Sequence, residues 1–186
     1  VAPDELNGDL LLMESRTSVR RITCHLLEQG RTLPGFIGDI SYAQSNRERY
    51  EGFCQALADA GKKVDSSLCL TTPLGIDTYR EEIDTFLSSL SRMPDAFVCA
   101  SDYVACILMQ LLEKRGLRVP EDVAVSGFDN NTEDLLAEHL TTVQVFNEEL
   151  GARLALQILY RIKYPNTPHE ITYLGTNVLY RDSTGD

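Results

Sequence analysis

Short apolar runs alternate along the chain with longer segments in which apolar residues recur at helical spacing. In the first helical segment, the apolar residues follow the i, i+3, i+7, i+8 spacing of one helix face and stop before Gly30; they are Val19, Ile22, Leu26 and Leu27. Three further helical stripes lie around residues 50–57, 79–90 and 105–112. The apolar runs begin near residues 35, 67, 96 and 122, a step of roughly 30 residues that matches a βαβ unit. The pattern predicts an α/β fold with a parallel sheet, right-handed crossovers and helices on both faces.

After the fourth apolar run the alternation changes. Residues 140–143 predict a short extended segment, and residues 151–162 predict one more long helix. Two strand-like pieces follow a proline-containing break, over 170–174 and 176–180. The last residues, 183–186, are expected to fray.

The charge balance bears on which partners the chain can hold. Its 186 residues are enough to bury a core without disulfides or metals, since a chain of this size buries about 70% of its unfolded surface. The chain has 17 basic and 28 acidic residues and a net charge of −11. Nucleic-acid binding depends on Lys and Arg side chains that neutralise phosphates, so this stretch alone is not expected to hold DNA.

The cysteines and the lengths of the apolar runs bear on the cellular location. There are five cysteines, and Cys54, Cys99 and Cys106 lie in apolar runs without a CxxC spacing. This pattern favours buried reduced thiols over a disulfide framework. No apolar run approaches the roughly 18 residues that a membrane span needs, and no signal peptide is visible. The chain begins at Val1 rather than Met, so a signal upstream remains an alternative to the favoured cytoplasmic location.

Signatures of catalysis and of cofactor binding are absent from the sequence. It has no GxGxxG after a strand, no GxxxxGK[ST], no GxSxG and no HExxH. His25, His139 and His169 are scattered without metal-ligand spacing. We therefore expect no cofactor and no metal, and a protein that is not an enzyme. The enzyme class that stays open is a carboxylate-driven hydrolase or isomerase that pairs Asp102 with Asp129.

Two predicted strands end in short polar residues. Ser101 and Asp102 follow the strand at 96–100, and Gly127-Phe128-Asp129-Asn130 closes the strand at 122–126. In open α/β sheets the carboxyl edge is where small ligands bind, so these residues indicate a pocket that recognises hydroxyl groups.

Each of these polar residues also has a purely structural interpretation. Ser101 and Asp102 are able to cap the helix that follows, and for Asp102 we favour the cap. For Asp129 the structural alternative is a cap on residues 130–137, and there we favour the ligand role. Phe128 fits the core and the pocket wall equally well.

The helix start Ser45-Asn46-Arg47-Glu48-Arg49 has two interpretations that are compatible for Ser45. One is a capping box, in which Ser45 caps the helix and Glu48 reaches back to it. In the other, Ser45 and Arg49 lie one turn apart on the same face and point into the cleft above the sheet. For Arg49 the alternative to the cleft is the solvated helix face.

Taken together, these segments resemble the lactose-repressor (LacI/GalR) family of bacterial transcription regulators. Ser45 to Phe53 is similar to that family's Ser-x-x-x-Arg-x-x-Gly-Phe helix start. The stretch from Val119 to Asn130 is the most specific match. The other matching pieces occur in family order and are His25-Leu26-Leu27-Glu28-Gln29-Gly30, Phe36-Ile37-Gly38-Asp39, Pro94 to Asp102, and Leu140-Thr141-Thr142-Val143 before Glu149-Leu150-Gly151.

The resemblance implies a periplasmic-binding-protein-like (type I) fold with two α/β lobes and an effector between them. It makes this chain a fragment that lacks the DNA-binding headpiece and most of the first lobe. Residues 1–14 would end the first lobe, 15–143 would form the C-terminal effector-binding lobe, 144–165 would return to the first lobe, and 166–186 would supply the C-terminal strands and tail.

The resemblance also implies the site and the partners. The effector-binding residues would be Ser45, Arg49, Ser101, Phe128 and Asp129, and the effector a sugar or a related polyol or nucleoside. Operator DNA would be bound through an N-terminal helix-turn-helix absent from this chain. No membrane partner is expected. A sugar-binding solute-binding protein of the same fold is the alternative.

The family binds operators as a homodimer, which indicates where an interface would lie. The candidate surfaces are the helix with Tyr79, Ile83 and Phe86 and the stretch 103–109. The alternative is that both stripes simply pack on the sheet.

Overall fold

The computed structural model describes residues 7–75, 77–131 and 138–186. In these residues, the strands and helices follow the predicted order. The strands are β1 Leu10–Met13, β2 Pro34–Ile37, β3 Cys69–Leu70, β4 Ala96–Cys99, β5 Ala124–Ser126, β6 Thr142–Gln144, β7 Ile171–Leu174 and β8 Asn177–Leu179. The helices are α1 Arg16–Glu28, α2 Gln44–Asp59, α3 Tyr79–Ser89, α4 Asp102–Lys114 and α5 Asn147–Lys163, with 3-10 turns at Ser66–Leu68 and Asp182–Thr184.

The central sheet is parallel, with strand order β3-β2-β4-β5. β6 continues this sheet, because Ser126 and Thr141 form a parallel bridge and so do Asp129 and Gln144. β8 then pairs antiparallel with β6. The sheet therefore presents the carboxyl ends of β2, β4 and β5 at one edge, as predicted.

The sheet is covered on both faces, which confirms the predicted α/β architecture. Successive residues of β2 point to opposite sides. Phe36 packs in a core cluster with Ile22 of α1 and Phe53 of α2, whereas Ile37 packs in a second cluster with residues of α3 and α4, among them Ile83. All five side chains are fully buried.

Helices α1 and α2 cross at Gly52. A Cβ atom built at this position would lie against the main-chain carbonyl oxygen of Arg16, closer than van der Waals contact permits. Glycine is therefore required there for the two helices to approach each other.

A smaller unit is formed by β1, β7 and α5. β1 and β7 pair in parallel, with Leu10 beside Ile171. The Asp9 carboxylate ties this pair to the helix, because it accepts hydrogen bonds from Arg161, from Gln157 and from the backbone N–H of Glu170. No residue of α5, all of which the structure describes, is buried.

The expectation that residues 183–186 fray is wrong. Ser183 and Thr184 are buried beside β5 and β6. The Ser183 hydroxyl donates to the carbonyl oxygen of Val125 at 2.6 Å and accepts from the backbone N–H of Thr141 at 2.8 Å. The Ser183 hydroxyl thus pairs with backbone groups of β5 and of the residue before β6, which fixes the segment in place.

The cysteine prediction is largely confirmed. No disulfide joins the five cysteines, all of which lie within described residues, and Cys99 and Cys106 are buried whereas Cys54 is half-buried. Burial raises the pKa of the Cys99 thiol well above its usual value. Among the described residues, we find no helix with the length and hydropathy that crossing a membrane requires.

Candidate functional site

The predicted site residues meet at the carboxyl edge of the central sheet. Ser101 follows β4, Asp129 lies three residues after β5, and Ser45 and Arg49 occupy the first turns of α2, which begins after β2. Parallel strands end at the same edge, so the sheet brings these separate segments together. The side chain of Arg49 makes the direct connection, because it contacts both Ala100 and Asp129.

Arg49 is the buried centre of the site, with a side chain only 10% exposed. One terminal nitrogen donates to the carbonyl oxygen of Ala100, and the other donates to Oδ1 of Asp129 at 3.4 Å. The guanidinium carbon lies 3.7 Å from the centroid of the Phe128 ring, a cation–π arrangement. Burial lowers the pKa of Arg49, and the carboxylates of Asp129 and Asp102 act in the opposite direction. The guanidinium is thus held as a fixed cation below the sheet edge.

One donor of this guanidinium is not satisfied within the described part of the chain. Nε of Arg49 is buried and has no hydrogen-bond partner there. An unpaired buried donor costs about 1–3 kcal/mol.

Asp129 presents a half-exposed carboxylate beside Arg49. Its side chain is 42% exposed, and its backbone N–H donates to the carbonyl oxygen of Val143 at 3.1 Å. The backbone φ angles of Asp129 and Asn130 are +109° and +52°, a region that residues other than glycine rarely adopt. Burial raises the pKa of the Asp129 carboxyl, and Arg49 opposes this shift. The Asp129 carboxylate is thus an accessible hydrogen-bond acceptor next to the buried Arg49 guanidinium, which is a donor.

The two serines occupy different positions. Oγ of Ser101 accepts a hydrogen bond from the backbone N–H of Val104 at 3.3 Å and so caps α4. Ser45 is half-buried in the first turn of α2, one turn before Arg49.

The predicted capping box of Ser45 and Glu48 is wrong. The helix begins one residue earlier, at Gln44, and its N-cap residue Ala43 makes no side-chain cap. The Glu48 carboxylate instead accepts from Gln44 and from the Tyr173 hydroxyl, both at 3.4 Å.

Comparison with known proteins gives the family. The sequence profile described as "Periplasmic binding protein-like domain" matches residues 23–184. The chain is 35% identical over 130 residues to the HTH-type transcriptional regulator DegA of Bacillus subtilis (strain 168), a match that covers 69% of this chain and 38% of DegA. It is 28% identical over 166 residues to the HTH-type transcriptional repressor PurR of Photobacterium profundum, covering 88% of this chain and 49% of PurR. The chain belongs to the LacI/GalR family.

A solved structure supports the same assignment. The transcriptional regulator CelR in complex with cellobiose superposes with a TM-score of 0.85 at 28% identity, over 95% of this chain and 54% of that one. The protein is thus a LacI/GalR effector-binding core with the periplasmic-binding-protein-like fold. It spans about half the length, or less, of the curated relatives it matches.

The helix-start motif shared with the LacI/GalR family serves two purposes in this core. Its Ser45 and Arg49 positions lie at the sheet edge, whereas Gly52 and Phe53 pack α2 against α1 and the sheet. The motif therefore couples the position of the guanidinium to the close contact between the two helices.

In this LacI/GalR core, Phe128 lies in the interior and is fully buried. Its ring reaches the site through the guanidinium of Arg49, which covers it. The alternative role of Asp129 as a cap on residues 130–137 lies partly outside the described residues, since 132–137 are not described.

Asp102 does not cap α4, contrary to expectation. It is the first residue of that helix, is 2% exposed, and accepts hydrogen bonds from the Thr142 hydroxyl at 2.6 Å and the backbone N–H of Asn131 at 2.8 Å. Burial raises the pKa of Asp102 to about 6, although the two hydrogen bonds act to lower it. Both carboxylate oxygens are therefore engaged within the fold.

Three polar side chains next to Asp129 form a hydrogen-bonded series that was not predicted from the sequence. The amide nitrogen of Asn130 donates to Gln144 at 2.6 Å, and Arg181 donates to the amide oxygen of Asn130 at 2.8 Å. Arg181 lies 51 residues from Asn130, so no local pattern links them. The antiparallel pairing of β6 with β8, which the sequence does not reveal, brings Arg181 to this position.

Over residues 7–75, 77–131 and 138–186, no group of three or more His, Cys, Asp or Glu side chains is placed to hold a metal ion.

Proposed function

We propose that this chain is the effector-sensing core of a bacterial transcription regulator. Its residues 15–143 form the C-terminal lobe, and a small hydroxyl-rich effector, such as a sugar, polyol or nucleoside, binds between that lobe and the first. The intact regulator is a cytoplasmic homodimer that reads operator DNA through a helix-turn-helix segment outside this chain. Effector binding changes the lobe closure and hence the spacing of the two DNA-reading segments.

The pair formed by Arg49 and Asp129 is the observation that supports this proposal most directly. A half-exposed carboxylate accepts hydrogen bonds from neighbouring hydroxyl groups, and the adjacent guanidinium fixes its position and supplies positive charge. Hydrogen bonds to charged groups contribute about 1.5–3 kcal/mol each. Ser45 and Ser101 lie at the same edge and add hydroxyl donors.

The comparisons support the same class of function. The relatives named above are transcriptional regulators and a repressor, and the CelR structure contains cellobiose. A buried guanidinium beside a carboxylate acceptor at the sheet edge fits the recognition of a sugar hydroxyl. It fits catalysis less well, because a carboxylate-driven enzyme would need Asp102 as its second carboxylate, and the hydrogen bonds of Asp102 are used inside the fold.

Calorimetric titration of the intact protein with cellobiose, ribose, glucose and adenosine tests the proposal. We expect saturable binding of at least one of them. The same ligand is expected to change operator affinity, because a ligand shifts a two-state equilibrium only by its differential affinity for the two states. A solute-binding protein of the same fold would bind the sugar with no DNA-binding activity for it to alter. Absence of binding by every member of this panel would count against a hydroxyl-rich effector.

The intact protein is expected to be a two-fold dimer, since helix-turn-helix dimers read palindromic operators. Tyr103 of α4 is 59% exposed, and its ring makes an edge-to-face contact with the ring of Tyr79 of α3, with 5.8 Å between the ring centroids. Ile83 of α3, by contrast, lies in the core. We expect Tyr103→Glu to weaken the dimer at least about tenfold, because it places charge in an apolar contact. Tyr180→Glu is the matched control, at a 41% exposed tyrosine that contacts His25 of α1 on the other side of the sheet. Sedimentation of the unaltered protein as a monomer at micromolar concentration would refute the dimer.

Residues 1–186 alone are not expected to bind duplex DNA specifically. The net charge is −11, and acidic surfaces repel the phosphate backbone. Fluorescence anisotropy with a labelled operator at low salt measures this, with the intact protein as the positive control. A salt-sensitive, sequence-selective complex with residues 1–186 would contradict the expectation.

A further inference from the structure

Asp102 forms hydrogen bonds with both ends of the turn that contains Asp129, one through its backbone and one through its side chain. The backbone N–H of Asp102 donates to the carbonyl oxygen of Phe128 at 2.8 Å. Its Oδ2 accepts from the backbone N–H of Asn131 at 2.8 Å. The residues between these two contacts are Asp129 and Asn130, which have positive φ angles. A single residue thus holds the chain immediately before and after its strained part.

The other carboxylate oxygen fixes the turn to β6. Oδ1 of Asp102 accepts from the Thr142 hydroxyl at 2.6 Å, and the Thr142 oxygen in turn accepts from the backbone N–H of Asn130 at 3.2 Å. Three separate segments, namely the start of α4, the turn and β6, are therefore joined through this carboxylate.

Gly127 makes room for this arrangement. A Cβ atom built on Gly127 would collide with Oδ1 of Asp102 and would also press against Leu140. Any larger residue would therefore displace the Asp102 carboxylate or the backbone of the strand end. The Ser-Asp pair after β4 and the Gly-Phe-Asp sequence after β5 interlock at this point.

We propose that Asp102 is a positioning residue for the effector site: by holding Phe128 and Asn131 it maintains the strained turn that presents the Asp129 carboxylate beside Arg49. Backbone conformations of this kind persist only where the surrounding structure over-determines them. The inference depends on the proposed function only for what Asp129 binds. The role of Asp102 in shaping the turn stands on the hydrogen bonds themselves.

We expect the two hydrogen bonds that the Asp102 carboxylate accepts to depend on pH. Burial raises its pKa to about 6, with Asp129 acting in the same direction and Arg181 against it. Arg49 and the Cys99 thiol are the other titratable groups that face it. The ionised carboxylate accepts both hydrogen bonds, whereas the protonated form has one acceptor fewer. The hydrogen bonds from Thr142 and Asn131 lower the pKa of this buried carboxyl. Opening of the turn that breaks them while Asp102 stays buried is therefore favoured by protonation, and we expect the turn to be held more firmly at pH 7.5 than at pH 5.

Global stability responds to the same proton in the opposite sense. Because the pKa of Asp102 is higher in the folded protein than the ordinary 3.8, protonation favours the folded state. Its contribution to the free energy of unfolding is fully present below pH 3.8 and is lost as the pH rises through about 6. Global unfolding, which exposes the Asp102 carboxyl to water, and local opening of the turn, which only breaks its hydrogen bonds, therefore depend on pH in opposite directions.

Residue-resolved amide hydrogen exchange of the intact protein, without ligand, tests the proposal at pH 7.5 and pH 5. In Asp102→Asn we expect protection of the Asp129 and Asn131 amides to fall at least about tenfold at pH 7.5, with the pH dependence of that protection lost. Thr142→Val keeps the carboxylate and is expected to give a smaller loss at the same amides. Asp65→Asn removes a carboxylate that accepts similar hydrogen bonds from Ser67 before β3, and it should leave the turn unchanged.

The amide of Asp129 decides the outcome, because it donates to Val143 and not to Asp102. If Asp102→Asn exposes the Asn131 amide while Asp129 stays protected, Asp102 only makes its own bond and positions nothing. Equal protection at both pH values in the unaltered protein would overturn the proposal as well. Since no effector is used, failure of the proposed function leaves this result intact.

Discussion

Replacing Asp129 with alanine is expected to weaken effector binding by about 10- to 150-fold, equivalent to about 1.5–3 kcal/mol. The half-exposed carboxylate accepts hydrogen bonds at the sheet edge, and its loss leaves Arg49 without its charged partner. Asp129→Asn keeps a side chain that tolerates positive φ and isolates the effect of charge. Calorimetric titration with the ligand found in the sugar panel, together with a thermal melt, measures both effects.

A matched control for this variant is Asp59→Ala. Asp59 of α2 pairs with Arg20 of α1 at 2.6 Å, and its side chain is about as exposed as that of Asp129. It is the last residue of α2, whereas the candidate site lies at the start of that helix. Its loss should leave affinity unchanged. A lowered melting temperature with unaltered affinity in Asp129→Ala would mean that Asp129 only shapes its turn.

Gly52→Ala is expected to lower the free energy of unfolding by about 1–3 kcal/mol, since overpacking costs this much in a well-packed interior. The added methyl group would meet the backbone carbonyl of Arg16, which has no flexible end to move aside. Chemical denaturation should show a lower midpoint with an unchanged slope. Because Arg49 lies one turn away, we also expect effector affinity to fall.

Gly151→Ala is the matched control, because Gly151 also lies inside a helix but, apart from the backbone of that helix, no described atom lies within 4 Å of the added Cβ. Alanine is favoured over glycine in a helix by up to about 1 kcal/mol, so this variant should be slightly more stable. If both variants changed stability equally, the close approach of α1 and α2 at Gly52 would not be the cause.

Topology brings the start of α2 and the turn with Asp129 to the same edge of the sheet, whereas the orientation of Arg49 toward the cleft was predicted from the LacI/GalR resemblance. A βα repeat of about 30 residues gives a parallel sheet, and the carboxyl ends of parallel strands share an edge. Hydrophobic spacing located the helices and strands because each element buries one apolar face. No long-range information was needed for either conclusion.

The roles of Asp102 and Ser183 were not predictable, because their partners are far away in sequence. Asp102 follows Ser101 at a helix start, where a cap is the expected local role, yet its acceptor oxygens are used by residues 29 and 40 positions away. Ser183 looked like a polar tail, but its partner Val125 lies 58 residues earlier. Local sequence propensity does not predict hydrogen bonds between residues so far apart in the chain. For Ser45, the helix began one residue before the expected cap.

The pairing of β8 with β6, and the burial of Ser183 and Thr184 against β5, give this fold a particular order of assembly during synthesis. The edge next to Asp129 is completed by residues 177–184, after the chain has passed through α5 and β7. Earlier elements form units that can collapse as they leave the ribosome. The sheet edge beside Asp129 acquires its final hydrogen bonds only when residues 177–184 emerge, so a nascent chain stalled before that point has the central sheet but an incomplete edge at the proposed effector site.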